Sequence, residues 1–172
     1  MKENFDSSFD RVLKHEGGFV NHPKDPGGMT NLGVTKASWE AFLNRDVTEA
    51  EMRALTPASV KPFYKAMYWD KLKCDDLPSG VDYAAYDFAV NSGVGRAAKY
   101  LQRIAGVKED GVIGRMSVDA ICAYDPSQMV DDLCDMRLNF LRSLSNFSTF
   151  GRGWESRVHD VAEIGADLTK EA

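Results

Sequence analysis

Apolar residues recur at helical spacing along most of the chain. Phe5, Phe9, Val12 and Leu13 fall at i, i+4, i+7 and i+8, a stripe that predicts a first helix over residues 4–16, with Asp10, Arg11 and Lys14 off it. Gly17-Gly18 reads as its stop, because glycine accepts the left-handed conformation that helix ends use. In residues 17–35, GGFVNHPKDPGGMTNLGVT, no period holds. Gly, Pro and Asn there predict an irregular loop with a short hairpin around Met29–Val34. So long an irregular stretch inside a compact chain is usually functional or mobile.

Helix starts then follow one another. Thr35 caps a helix through residue 43, Thr48 with Glu51 is a capping box, and Thr56-Pro57 is a cap followed by proline at the first helical position. Ser79 precedes a helix through Val90, with Tyr83, Tyr86 and Val90 on one face. Asp125-Pro126-Ser127-Gln128 opens a long helix with the stripe Met129, Leu133, Met136, Phe140 and Leu144. Trp39 and Trp154 are assigned to the core. No internal repeat appears. The fold class is mainly α, with a small Gly-rich loop or β-hairpin. Ser92-Gly93-Val94-Gly95 suggests a boundary between a lobe of residues 1–92 and a helical lobe of residues 93–172. With no flexible linker between them, the two are expected to pack as one compact unit.

Composition changes this picture little. At 172 residues, 44% hydrophobic and 27% charged, the chain is of an ordinary folded kind, long enough for one good core. Charge removes one class of partner. A net charge of −5 with no dense Lys/Arg cluster argues against nucleic acid, where a basic face supplies most of the affinity. No apolar run approaches the roughly 20 residues that span a bilayer, so stable membrane insertion is not expected. The start, Met-Lys-Glu-Asn-Phe-Asp, lacks the basic and apolar segments of an export signal, and synthesis in the cytoplasm is expected. Cys74, Cys122 and Cys134 are odd in number and form no CxxC, which predicts free, partly buried thiols. His15, His22 and His159 do not stand at ligand spacing with them, so neither a metal nor an organic cofactor is expected.

Glu16 asks for an explanation. At 100° per residue it lies within the apolar sector of the first helix, in its last turn. Both a low-polarity setting and the negative end of the helix dipole disfavour its charge. A carboxyl still protonated near neutral pH is what protonating a glycosidic oxygen requires. A Glu frayed out at a helix end, or one capping local amides, fits the same pattern. Asp25 lies nine residues on, in the Gly-rich loop. It could supply the second group that places water or stabilises an oxocarbenium-like transition state, or it could be an ordinary turn residue before Pro-Gly-Gly. The hydroxyl of Thr30 could orient the attacking water; a β-branched strand residue is the alternative. Asn91 suits an N-acetyl group or ring hydroxyls, or a helix C-cap. Tyr68 and Trp69 are candidate sugar-stacking aromatics, with core packing as the alternative. Tyr86 and His22 complete the candidate substrate-binding set.

The block HEGGFVNHPKDPGGMTNLGVT at 15–35 resembles the signature of glycoside hydrolase family 108, a family of N-acetylmuramidases that includes phage endolysins and the muramidase used in typhoid-toxin secretion. YW at 68–69, DFAVNSG at 87–93 and FGRGW at 150–154 resemble its later blocks. The resemblance implies a lysozyme-like helical architecture, with the hairpin near the active site and Glu16 as the essential acid. Phage-type lysozymes place a Glu, an Asp and a Thr in comparable order. Glu16 to Asp25 keeps that spacing, while Asp25 to Thr30 is one residue shorter. Residues 97–121 resemble a helical peptidoglycan-binding module through Leu101-Gln102 and Asp110-Gly111-Val112-Ile113-Gly114, with Ser117 where that motif usually has Thr.

The resemblance implies a peptidoglycan hydrolase that cleaves the β-1,4 bond between N-acetylmuramic acid and N-acetylglucosamine in the glycan strands. Glu16 would be the acid, with Asp25 and Thr30 placing water. A monomeric phage or prophage endolysin is expected, acting in the periplasm or on the wall after release through a holin or similar pore. Two other functions remain open: a lytic transglycosylase that uses Glu16 to form anhydro ends, and a non-catalytic wall-binding or secretion-assisting protein.

Overall fold

The computed structural model describes residues 4–21 and 28–171. The chain divides into two compact units. One is residues 9–67; the other joins the residues up to 8 with those from 68 onward. Among the described residues the fold is mainly helical, with one small antiparallel sheet.

Helix α1 (Phe5–Leu13) buries Phe5, Phe9 and Val12, as the stripe predicts. It stops at Leu13, short of residue 16. His15 N–H donates to Val12 C=O at 3.0 Å and Glu16 N–H to Leu13 C=O at 3.1 Å, so the exit is a tighter i→i+3 turn. Glu16 stands past the helix end, and neither Gly17 nor Gly18 takes the left-handed conformation expected of a stop. In the same unit, β1 (Thr30–Asn31) and β2 (Val34–Thr35) form a hairpin pairing Thr30 with Thr35 and Asn31 with Val34. Its two turn residues, Leu32 (φ 49°) and Gly33 (φ 73°), are both left-handed, as a type I′ turn demands. Val20 extends the sheet, exchanging bonds of 2.8 and 2.9 Å with Thr30.

The predicted caps form. Thr35 caps α2 (Lys36–Leu43), and both bonds of the capping boxes starting α3 (Glu49–Arg53) and α4 (Pro57–Tyr64) are present. Trp39 is buried, packing on Phe42 and Phe63 with centroids at 5.6 and 5.9 Å. Pro62 sits inside α4, and the chain runs on into a π-helical turn, Lys65–Trp69.

In the larger unit, α5 (Val81–Ser92) packs against α6 (Val94–Ile104), α8 (Pro126–Arg142) and α9 (Phe147–Lys170). The short α7 (Arg115–Ala123) follows α6. The buried face of α8 is Met129, Val130, Leu133, Cys134, Arg137, Leu138 and Leu141, whereas Met136, Phe140 and Leu144 are only half-buried. The predicted stripe is therefore turned away from the real one, because an arginine occupies the middle of the core face. Arg137 Nη1 meets Asp87 Oδ1 at 2.7 Å, and Arg157 Nη2 meets Asp87 Oδ2 at 3.0 Å; all three side chains are buried. Burial alone would push the Asp87 carboxyl up, but the two guanidiniums outweigh it and hold it below the ordinary 3.8. Trp154 is half-buried at the edge of this unit, not in the core. Cys74 and Cys134 are buried and Cys122 is exposed, and none of the three is in a disulfide. Among the described residues no helix is long and apolar enough to cross a membrane.

Candidate active site

The hairpin is anchored before it is functional. Buried Asn31 donates from Nδ2 to Met52 C=O at 2.8 Å, tying β1 to α3. Tyr64, near the end of α4, donates its hydroxyl to Leu32 C=O at 2.8 Å, and its ring meets Phe9 edge-on with centroids at 5.5 Å. The turn is thereby held by α1 and α4 together.

Glu16 lies against this turn. A side chain on Gly33 would strike the Tyr64 hydroxyl, and its Cβ would fall 2.7 Å from Glu16 Oε2 and 3.1 Å from Glu16 Cδ. Only glycine both adopts φ 73° readily and leaves room for the carboxyl. Glu16 is half-buried there, so its carboxyl has a fixed wall on one side and an accessible side as well. Such a group can hand a proton to a substrate oxygen. Thr30 begins the first strand of the same hairpin and is also half-buried.

The other candidates separate. His22 and Asp25 lie outside the described residues. Tyr68, Trp69, Tyr86 and Asn91 belong to the larger unit. Trp69 and Tyr86 are each 0% exposed, and their rings pack edge-on with centroids at 5.4 Å. The Trp69 Nε1–H donates to Asp75 at 2.8 Å. A ring with no accessible face cannot stack a sugar, so these two belong to the core. Tyr68 and Asn91 keep part of their surface; Asn91 is still inside α5, where its Oδ1 accepts from the Ser92 hydroxyl at 2.9 Å. Sequence reasoning missed Tyr64, whose apolar neighbours made it read as one more helix residue, and Gly33, whose signal was its place in the Asn-Leu-Gly-Val turn. Among the described residues, no three His, Cys, Asp or Glu side chains are grouped to hold a metal ion.

The family model described as Glycosyl hydrolase 108 matches residues 9–93, which include Glu16, the hairpin and Tyr64. A second, described as a predicted peptidoglycan domain, matches residues 96–159. No curated protein matches the chain. Among solved structures, SagA of Brucella abortus is 44% identical and covers 98% of this chain, which in turn covers 97% of SagA, with a TM-score of 0.88. The chain belongs to glycosyl hydrolase family 108. It is a glycoside hydrolase of the muramidase type, a peptidoglycan hydrolase with a C-terminal peptidoglycan domain. The lysozyme-like helical architecture expected of the family is the one observed.

Proposed function

We propose that this family 108 enzyme is a β-1,4 N-acetylmuramidase with Glu16 as general acid. The observation that carries the reading is the seat of the Glu16 carboxyl, against the Gly33 turn on the side that the Tyr64 hydroxyl also approaches. Glu16 protonates the glycosidic oxygen as the C1–O bond breaks. Asp25, helped by the Thr30 hydroxyl, takes a proton from the water that attacks C1 from the opposite face. This pairing inverts the anomeric centre and calls for carboxyls about 6.5–9.5 Å apart. The protein acts as a monomeric phage or prophage endolysin, made in the cytoplasm and released to the wall through a holin or similar pore. The family's resemblance to phage endolysins supports that setting.

Product analysis of digested peptidoglycan tests bond and mechanism together. Reducing N-acetylmuramic acid ends are expected; anhydro ends would assign the chain to the lytic transglycosylases. Glu16→Gln should lower kcat by at least about 10²–10⁴-fold with the circular dichroism spectrum unchanged. Retention of more than a few per cent of the parent's activity would remove Glu16 from the mechanism. Asp25→Asn should also lose most activity, and a rate within twofold of the parent would show that another group places the water.

A further inference from the structure

The larger unit contains a cleft of about 300 Å³ lined by Asn91 and Ser92 at the end of α5, Arg96 on α6, Phe140 and Leu144 from α8 and the turn after it, and Trp154 on α9. Its walls are of two kinds. The Arg96 guanidinium lies 4.0 Å above the Phe140 ring and donates from Nη1 to Ser92 C=O at 3.0 Å. Those contacts hold it in place, and among the described residues no carboxylate pairs with it. Trp154, also in the lining, has its ring centroid 5.7 Å from that of Phe150, which is 53% exposed.

Three lining residues share their helices with the buried Arg137–Asp87–Arg157 cluster. Asn91 is four residues after Asp87 on α5, Leu141, also in the cleft lining, is four after Arg137 on α8, and Trp154 is three before Arg157 on α9. Each cluster member is one helical turn from a lining residue on the same face. Arg96 brings a positive charge to the cleft lining. Lys99 continues the basic row one turn along α6, in a shallow groove that shares Arg96.

A planar cation, an amide and an indole lining one cleft suit a carboxylate carried on a small organic residue. We propose that this cleft binds the carboxylates of peptidoglycan stem peptides, so that the enzyme engages peptide-substituted glycan through residues outside its catalytic hairpin. In peptidoglycan the lactyl carboxyl is consumed in the amide to the first stem residue, so free carboxylates lie on the peptides while the glycan is neutral. The inference rests on the hydrolase reading for its substrate.

Two assays on the full chain decide it. Reducing-end release is measured on intact sacculi and on stripped sacculi, the glycan left when an amidase removes the stem peptides and the lactyl carboxyls it exposes are then amidated. Arg96→Gln and Trp154→Ala should raise KM about tenfold on intact sacculi with kcat kept, and leave both constants unchanged on stripped sacculi. An equal loss on both substrates would overturn the proposal, since the cleft would then read the sugar. Separately, amidase-released stem peptides are titrated against the parent chain by NMR. Shifts should centre on Arg96 and Trp154 and vanish when the peptide carboxyls are methyl-esterified; shifts that survive esterification would overturn the proposal. If the parent cuts neither kind of sacculus, the hydrolase reading fails, and the titration still judges the cleft.

Discussion

Residue 33 is where the fold and the proposed chemistry meet. Its backbone is left-handed and its missing side chain is the space that the Glu16 carboxyl and the Tyr64 hydroxyl share. Gly33→Ala should therefore act twice. The left-handed φ costs about 1–2 kcal/mol of stability in urea denaturation, and displacing Glu16 lowers kcat by about 10²-fold, since misplacements near 1 Å have that size of effect. A variant that lost stability but kept kcat would detach Glu16 from the reaction. The helical spacing puts Glu16 on an apolar face, but α1 ends at Leu13 and Glu16 stands half-buried beyond it. The same signal marks Asp87 in the apolar run YAAYDFAV and Arg137 among Leu133, Cys134, Leu138 and Leu141, where it reports a buried ion cluster instead. The pattern finds buried charge without saying what the charge is for.

At the scale of elements, what the sequence stated locally held best. Thr35, Thr48, Thr56 and Asp125 all cap the helices expected of them, because a cap is decided by residues within one turn. What depended on distant packing was harder to read. The first helix closes early in a tight turn, and α9 runs straight through Gly151 and Gly153, residues that locally argue for a break. A Cβ at Gly151 would sit 2.7 Å from the Phe147 ring, so that glycine serves packing inside the helix. Thr48 offers a clean test of an element's worth to the site. Its box with Glu51 starts α3, whose Met52 carbonyl receives Asn31 of the hairpin. The carboxyl of Glu51 is lowered to about 2, first by its bond from Arg45 and then by the Thr48 N–H. Thr48→Ala should cost about 1 kcal/mol in urea unfolding, and should lower kcat less than Gly33→Ala does. An unchanged midpoint would mean that α3 is held by packing alone.

Across the larger unit, Asp87 joins α5 to α8 and α9. Removing one partner from a buried ion cluster leaves uncompensated charge, so Asp87→Asn should cost about 3–5 kcal/mol. The pH dependence has a fixed sign. The folded carboxyl is held below 3.8, so its stabilisation is complete above about pH 4 and fades as pH falls through the lower folded value. Urea midpoints between pH 6 and pH 2.5 should therefore drop in the parent and drop less in Asp87→Asn. Parallel pH curves would place the acid sensitivity elsewhere.

The interruption of this unit also sets a timetable. Residues 9–67 are contiguous, whereas the larger unit needs residues from both sides of them. Phe5 meets Trp69 at 5.3 Å, and Asn4 donates to Ser79 and Asp82 at 2.9 Å. At ribosomal speeds of about 5–20 residues per second, Phe5 waits about 3–13 s for Trp69 to be made. The segment holding Glu16 and the hairpin is complete before the larger unit has its first long-range partner. During synthesis, the opening turn of α1 is a thread left hanging until the chain returns for it.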